Sequence, residues 1–421
     1  MHARVIDMTA RDSPAATPDF TASAGRAAQQ PTAAPTEIAG EAQHALLPIA
    51  QPRRHGAGLL ALGILGVVAL SFVLLFVVVY VISGIGTDAF ALGGVLAVVP
   101  LAVVFLTVRW IDRWEPEPRL AVVFAFLWGA GVAVLLALIV GAEIDNVIAA
   151  LGGPGPAYDF FSAAIQAPIV EEAGKALGIL VIFWVARRHF DGPIDGLVYA
   201  AWIAGGFAFT ENILYFGTEL VSLDGSGAGI FQMFLVRGLM SPFAHVMFTA
   251  CTGIALGFAA RSSHSAGGVG IFAAGFALAI GLHALWNGAL FFVNDFFGYY
   301  AIVQFPLFVV AIVIVIYLRK QEERMTFDRL VEYANVGWFN RNEVAVLATG
   351  RGRRQALAWA NQHNKRAEMK TYIQDATRLA FARQRIITGR DRISATADEA
   401  VLLGAVVEAR HALTGTQHPP Q

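Results

Sequence analysis

Eight apolar stretches, each long enough to cross a bilayer, constrain this chain more than any other feature of its sequence. They run approximately over residues 57–83, 89–108, 120–140, 159–186, 194–217, 236–260, 268–293 and 300–318. A hydrocarbon core of about 30 Å takes about twenty residues of helix, and backbone polar groups in lipid must be satisfied within the segment. The fold class expected is therefore all-α: a polytopic membrane protein with about eight transmembrane helices and a small helical cytosolic C-terminal domain. Composition agrees, with 56% hydrophobic and only 14% charged residues, against about 25% charged in soluble domains.

The charges are unevenly placed. Arg109, Arg113 and Arg119, then Arg187 and Arg188, then Arg261, flank alternate connections, and the chain leaves the last stretch through Arg319 and Lys320. The other connections, near 84–88, 141–158, 218–230 and 294–299, contain no Lys or Arg. With Arg53 and Arg54 before the first stretch, the positive-inside rule places both termini in the cytoplasm of an integral cell-membrane protein. Three regions follow: a disordered cytoplasmic tail over 1–56, a transmembrane domain over 57–318, and a basic helical cytosolic domain over 319–421. In the last of these, Tyr372, Ala376, Leu379, Arg383 and Ile386 trace one helix face. The lipid bilayer is the expected environment, and no nucleic-acid partner is expected. Arg237 departs from the charge pattern near the outer end of the sixth stretch, where Glu219, Asp224 or an internal polar site would pair with it.

The fourth stretch contains "EEAGK", residues 171–175. An ionised side chain at the bilayer centre costs about 2.5 to 3.5 kcal/mol on insertion scales, so Glu171, Glu172 and Lys175 need partners. Glu171 and Lys175 share a helix face, while Glu172 points about 100° away. The next stretches offer Glu211 and Asn212, then His245, then His283 with Asn287. Glu171 to Arg187, Asp195 to Glu211, His245 to Arg261 and Gly267 to His283 are each 16 residues, or about 24 Å of helix from the inner boundary. Four consecutive antiparallel helices thus place a carboxylate or imidazole in one layer, and small residues such as Gly205, Gly206, Ala208 and Gly281 permit close helix approach.

Taken singly, each residue has a structural reading: an interhelical hydrogen bond for either histidine, a counter-ion role for Lys175. Together they describe hydrolysis by activated water. A desolvated carboxylate serves as general base, and imidazole and amide N–H groups stabilise an oxyanion. The same Glu and His residues also suit Zn²⁺, with Glu172, Glu211, His245 and His283 as the candidate ligands, although no H-E-x-x-H helix is present. Ser241 and His245 stand four residues apart without an evident third member of a triad. A proton-coupled transporter or scaffold is the reading from another class, because buried Glu/His relays also carry protons.

The segments "DRWEPEP" (112–118), "EEAGK" (171–175), "DGLVYAAWIAGGFAFTEN" (195–212), "SPFAH" (241–245) and "HALWN" (283–287) resemble the PrsW family of glutamic-type intramembrane proteases, relatives of the CAAX prenyl endopeptidase and bacteriocin-processing group. The resemblance covers about 109–293. It implies an endopeptidase that cleaves a membrane-anchored protein such as a single-pass anti-sigma factor, or a CAAX-type or bacteriocin-type processing protease. It also implies roles. Glu171 or Glu172 activates water, Glu211, His245 and His283 belong to the same site, and Asn287 helps form the oxyanion hole, with Lys175, Asn212 and Arg237 in support. It leaves a zinc requirement open.

Overall fold

The computed structural model of the chain describes residues 55–155, 157–186, 190–222, 227–261, 265–389 and 392–414. The tail expected to be disordered, together with Arg53, Arg54, Arg187, Arg188 and Asp224, lies outside the described residues. Among those described, regular structure is entirely helical. In chain order the membrane helices are α1 (His55–Ile85), α2 (Thr87–Ile111), α3 (Arg119–Ala150), α4 (residues 158–185), α5 (Pro193–Val221), α6 (residues 227–240), α7 (Ala244–Arg261), α8 (Ser265–Ala289) and α9 (Phe296–Asn335).

Among the described residues, seven helical segments are long and apolar enough to cross a membrane. They correspond to the stretches read from the sequence, with α6 and α7 forming one of them and α4 standing outside the seven. Any 18-residue window of α4 contains Glu171, Glu172 and Lys175, and these three charges separate it from the others by composition. Burial shows how the structure accommodates them: 72% of the most apolar window of α5 is buried, against 11% for the first and last segments. The central α5 packs extensively on α2, α3 and α7, and α4 lies against α3, α5, α7 and α8. Glycines set these distances. A Cβ on Gly129 would stand 1.8 Å from the Ile203 carbonyl oxygen, and one on Gly196 would stand 2.0 Å from that of Gly253. Gly206 is similarly tight against α3, whereas Gly281, expected to permit close approach, faces open space.

Among the described residues, four π-helical turns interrupt the membrane helices, at Trp128–Ala133, Ser162–Gln166, Phe234–Met240 and Tyr300–Gln304. A π-turn breaks the i to i−4 ladder and leaves carbonyls in need of other donors. Side chains supply them: Thr210 Oγ1 donates to Ala130 O (2.9 Å), Asn287 Nδ2 to Ala163 O (2.9 Å) and Ser241 Oγ to Val236 O (2.6 Å). The irregularities thus tie α3 to α5 and α4 to α8.

By contacts the chain divides into two units. One comprises Leu47–Glu322 and Phe381–Ala397, and contains the membrane helices. The other comprises, among the described residues, 323–380 and 398–414. The second unit is built from the end of α9, α10 (Arg341–Ala348), α11 (Gly350–Gln362), and parts of α12 (Arg366–Thr388) and α13 (Arg392–Thr414). Asn340 caps α10 in a reciprocal box with Glu343, whose carboxylate also accepts from Tyr372 (3.0 Å) and pairs with Arg410 (3.1 Å). Tyr372, Ala376 and Leu379 are buried, as the apolar stripe read from the sequence predicts.

Candidate active site

The polar residues of four membrane helices meet. Glu172 and Lys175 are wholly buried, Glu171 is 8% exposed and His283 is 2% exposed. Lys175 Nζ contacts Glu172 Oε1 at 2.9 Å, Glu171 Oε2 at 3.2 Å and His245 Nδ1 at 3.1 Å, and lies 3.8 Å from the centre of the Phe207 ring. Glu172 accepts three hydrogen bonds in all, because its Oε2 accepts from Thr249 Oγ1 (2.8 Å) and its Oε1 also meets His283 Nδ1 (3.1 Å). On the far side of His245, Nε2 faces Glu211 Oε2 at 2.8 Å. Arg237 binds the same Glu211 oxygen, reaches Asn212 Oδ1 at 3.0 Å, and packs over the ring of Tyr215. Of the three roles open to Arg237, the structure selects the pairing within the site.

Partners fix the hydrogen positions. An ammonium only donates, so His245 Nδ1 accepts, and its N–H must lie on Nε2, where Glu211 accepts it. Glu172 likewise accepts from His283 Nδ1–H, which leaves His283 Nε2 facing Glu171 Oε2 at 3.8 Å. In these tautomers neither imidazole offers an uncommitted N–H to an oxyanion. Asn287, one turn beyond His283, does not join this network; its Nδ2 satisfies the π-turn carbonyl of Ala163 and keeps one further N–H. Ser241 does not face His245 through its hydroxyl, which donates to Val236 O.

Thr249 was not legible as a site residue, although it lies one turn from His245 on the same face. Phe248, stacked on His283 at 5.0 Å between ring centres, gave no polar signal at all.

Glu171, His245 and His283 can bring donor atoms within 4.8 Å of one another, and a Glu/His/His set has the chemistry of a zinc site. It differs from the set expected from sequence. Glu172 and Glu211 stand behind the two histidines, as carboxylates commonly do behind metal-bound imidazoles. As arranged, however, the set does not fit a metal: His245 Nδ1 and Glu171 Oε2 already receive the Lys175 ammonium, and His245 Nε2 faces Glu211.

A second acidic group lies at one end of the helices, in "DRWEPEP". Glu117 accepts from the Tyr199 hydroxyl (2.6 Å), Asp112 receives the Glu117 backbone N–H (3.2 Å), and Asp195 receives the N–H groups of Asp191 (2.5 Å) and Gly192 (2.9 Å). Burial, with a smaller contribution from Glu322, pushes the Asp112 carboxyl up to about 7 against the pull of the Glu117 N–H. Burial, then the neighbouring Asp195, holds Glu117 well above the usual carboxylate range.

Residues 117–315 match the family model described as PrsW family intramembrane metalloprotease. The chain is similar to Protease PrsW of Clostridioides difficile (strain 630), at 30% identity over 38% of this chain and 62% of the relative. It is also similar to Protease PrsW of Geobacillus kaustophilus (strain HTA426), 33% identical over 35% and 57%, and of Bacillus subtilis (strain 168), 31% identical over 37% and 63%. It thus spans about three fifths of the length of these relatives. No solved structure matches the chain. The matched segment, a little under half of the chain, carries the Glu171 to His283 network within the membrane helices, and it is in this segment that the chain is similar to the PrsW family.

Proposed function

We propose that the chain is an intramembrane endopeptidase that hydrolyses a peptide bond of a membrane-anchored protein, with Glu171 as the general base. The observation that carries this reading is the closed carboxylate–histidine–lysine network joining α4, α5, α7 and α8 inside the apolar bundle. Such a concentration of ionisable groups is costly in lipid and is retained where it serves chemistry.

The two adjacent glutamates have different work. Glu172 is wholly buried and its two oxygens already accept three hydrogen bonds, so it is less free than Glu171 to direct a water. Glu171 is partly accessible, and among the described residues only its Oε2 has a hydrogen-bond partner. A water between Glu171 and the His283 Nε2 lone pair is oriented by both. Glu171 removes its proton as the water oxygen attacks the scissile carbonyl carbon, whose oxygen becomes the oxyanion. The remaining Asn287 N–H is the amide donor for that oxygen. Glu171 then returns the proton to the departing amide nitrogen as the C–N bond breaks, giving a carboxylic acid and an amine. Glu211, Asn212 and Arg237 hold His245, and His245 with Lys175 holds the glutamates.

The substrate class that suits such a site is a single-pass protein, an anti-sigma factor among them, presented with a locally unwound span. The alternation of arginines supports cytoplasmic termini. The test is a profile of new protein N-termini in membranes of cells carrying wild type or Glu171→Gln at matched abundance. Ends within or beside single-pass spans that vanish in the variant support the reading; identical profiles overturn it in favour of a transporter or scaffold.

A further inference from the structure

We infer that Lys175 and a divalent metal ion exclude one another at this site, so that the lysine is its resident cation and the chain holds no metal while Lys175 is in place. The ammonium has three N–H groups and, besides the face of Phe207, three acceptors: Glu171 Oε2, Glu172 Oε1 and His245 Nδ1. Two of these belong to the three groups able to converge on a metal. The imidazole nitrogen decides the matter, because Nδ1 of a neutral histidine has a single in-plane lone pair. That pair either accepts the lysine N–H or binds a metal. His245 cannot turn its other nitrogen to the metal without giving up Glu211, which Arg237 anchors.

Lys175 therefore positions the site. It sets the His245 tautomer, draws the two glutamates toward one point, and supplies charge that a metal would otherwise bring. Removing it would leave Glu171, His245 and His283 as three ligands with carboxylates already behind both imidazoles, an arrangement that favours metal binding.

The inference rests on the site described above, but bound metal is read without any cleavage assay, so the two readings fail separately. The full chain, purified in detergent with zinc and then passed through a desalting column, is compared as wild type, Lys175→Met and Lys175→Met/His283→Gln by elemental analysis and thermal unfolding. Wild type is expected to hold no more zinc than a His245→Gln control, and zinc leaves its melting temperature unchanged. Lys175→Met is expected to hold about one zinc per chain, with zinc raising its melting temperature, and the double variant to lose both effects. One zinc per wild-type chain that disappears in the His245→Gln control would overturn the inference, as would a folded Lys175→Met chain that stays metal-free. Should Lys175→Met fail to fold even with zinc, nitrogen NMR of ¹⁵N-histidine-labelled wild type decides: an unprotonated, metal-free Nδ1 with Nε2–H on His245 supports the inference, and a protonated or metal-bound Nδ1 refutes it.

Discussion

Among the described residues of the membrane unit, two groups of buried and half-buried carboxylates are stabilised in opposite ways. The mid-helix group of Glu171, Glu172 and Glu211 is met by cations and imidazoles: Lys175, Arg237, His245 and His283. The group at the helix ends, Asp112, Glu117 and Asp195, is met mainly by neutral donors, namely backbone N–H groups and the Tyr199 hydroxyl, with Arg261 contributing charge near Asp195. Charged partners inside an apolar bundle suit a site proposed to do proton chemistry. Neutral donors with like-charged neighbours favour the protonated acid, which suits a structural clamp. The contrast separates the proposed reactive centre from the joint that links the α2–α3 turn to α5.

The largest effect should come from Glu171→Gln. Loss of a general base lowers rate by about 10² to 10⁴-fold, while the partly exposed, isosteric amide should leave the melting temperature nearly unchanged; both are read on the purified chain. Lys175→Met in the absence of zinc should act the other way round on stability. Removing one partner from a buried charge network costs about 3 to 5 kcal/mol, and the variant should show a large drop in melting temperature or in membrane abundance. If both variants lost stability equally, the division of labour between Glu171 and its neighbours would be wrong.

The end group predicts a pH signature. The Asp112 carboxyl has a folded value of about 7, above the ordinary 3.8. Between these values the folded chain holds the proton that the unfolded chain releases, so this residue's contribution to stability falls as pH rises from about 4 to 7 and is flat beyond. Three units would amount to about 4 kcal/mol, which partial exposure of the residue reduces to about 1 to 2 kcal/mol. Asp112→Asn should therefore raise the melting temperature at pH 8 and leave it little changed at pH 4. A constant difference across that range would show that Asp112 is ionised throughout.

The smallest effects should come from single hydroxyls. Tyr199→Phe removes the donor to Glu117 and should cost about 1 kcal/mol. Thr249→Val should cost about the same but also lower turnover, because Glu172 loses the group that orients it toward His283. Turnover reduced by Tyr199→Phe and untouched by Thr249→Val would reverse the assignment of the two groups.

The membrane helices and the layer of Glu171, Glu211, His245 and His283 were legible in the sequence for one reason: a polar residue in an apolar helix stands out, and helix rise converts spacing to depth. What lay hidden depends on rotation and on atoms rather than on depth. The contact of Lys175 with His245 Nδ1 cannot be read from spacings within α4, which permit pairs with Glu171 at i, i+4 and, against the expectation that Glu172 would find its partner elsewhere, with Glu172 at i, i+3. The π-turns have no compositional mark, so the role of Asn287 as donor to Ala163 was invisible, and with it the reason Ser241 turns away from His245. Tyr199 reads as an ordinary apolar residue of α5 until Glu117, 82 positions earlier, is seen against it.

The most direct test sets Glu171→Gln beside Glu172→Gln on a substrate identified from new N-termini, with cleavage and melting temperature recorded for each. The account predicts that Glu171→Gln abolishes cleavage in a chain as stable as wild type, while Glu172→Gln lowers the melting temperature through its lost contacts to Lys175 and His283. Cleavage retained by a folded Glu171→Gln chain would contradict it.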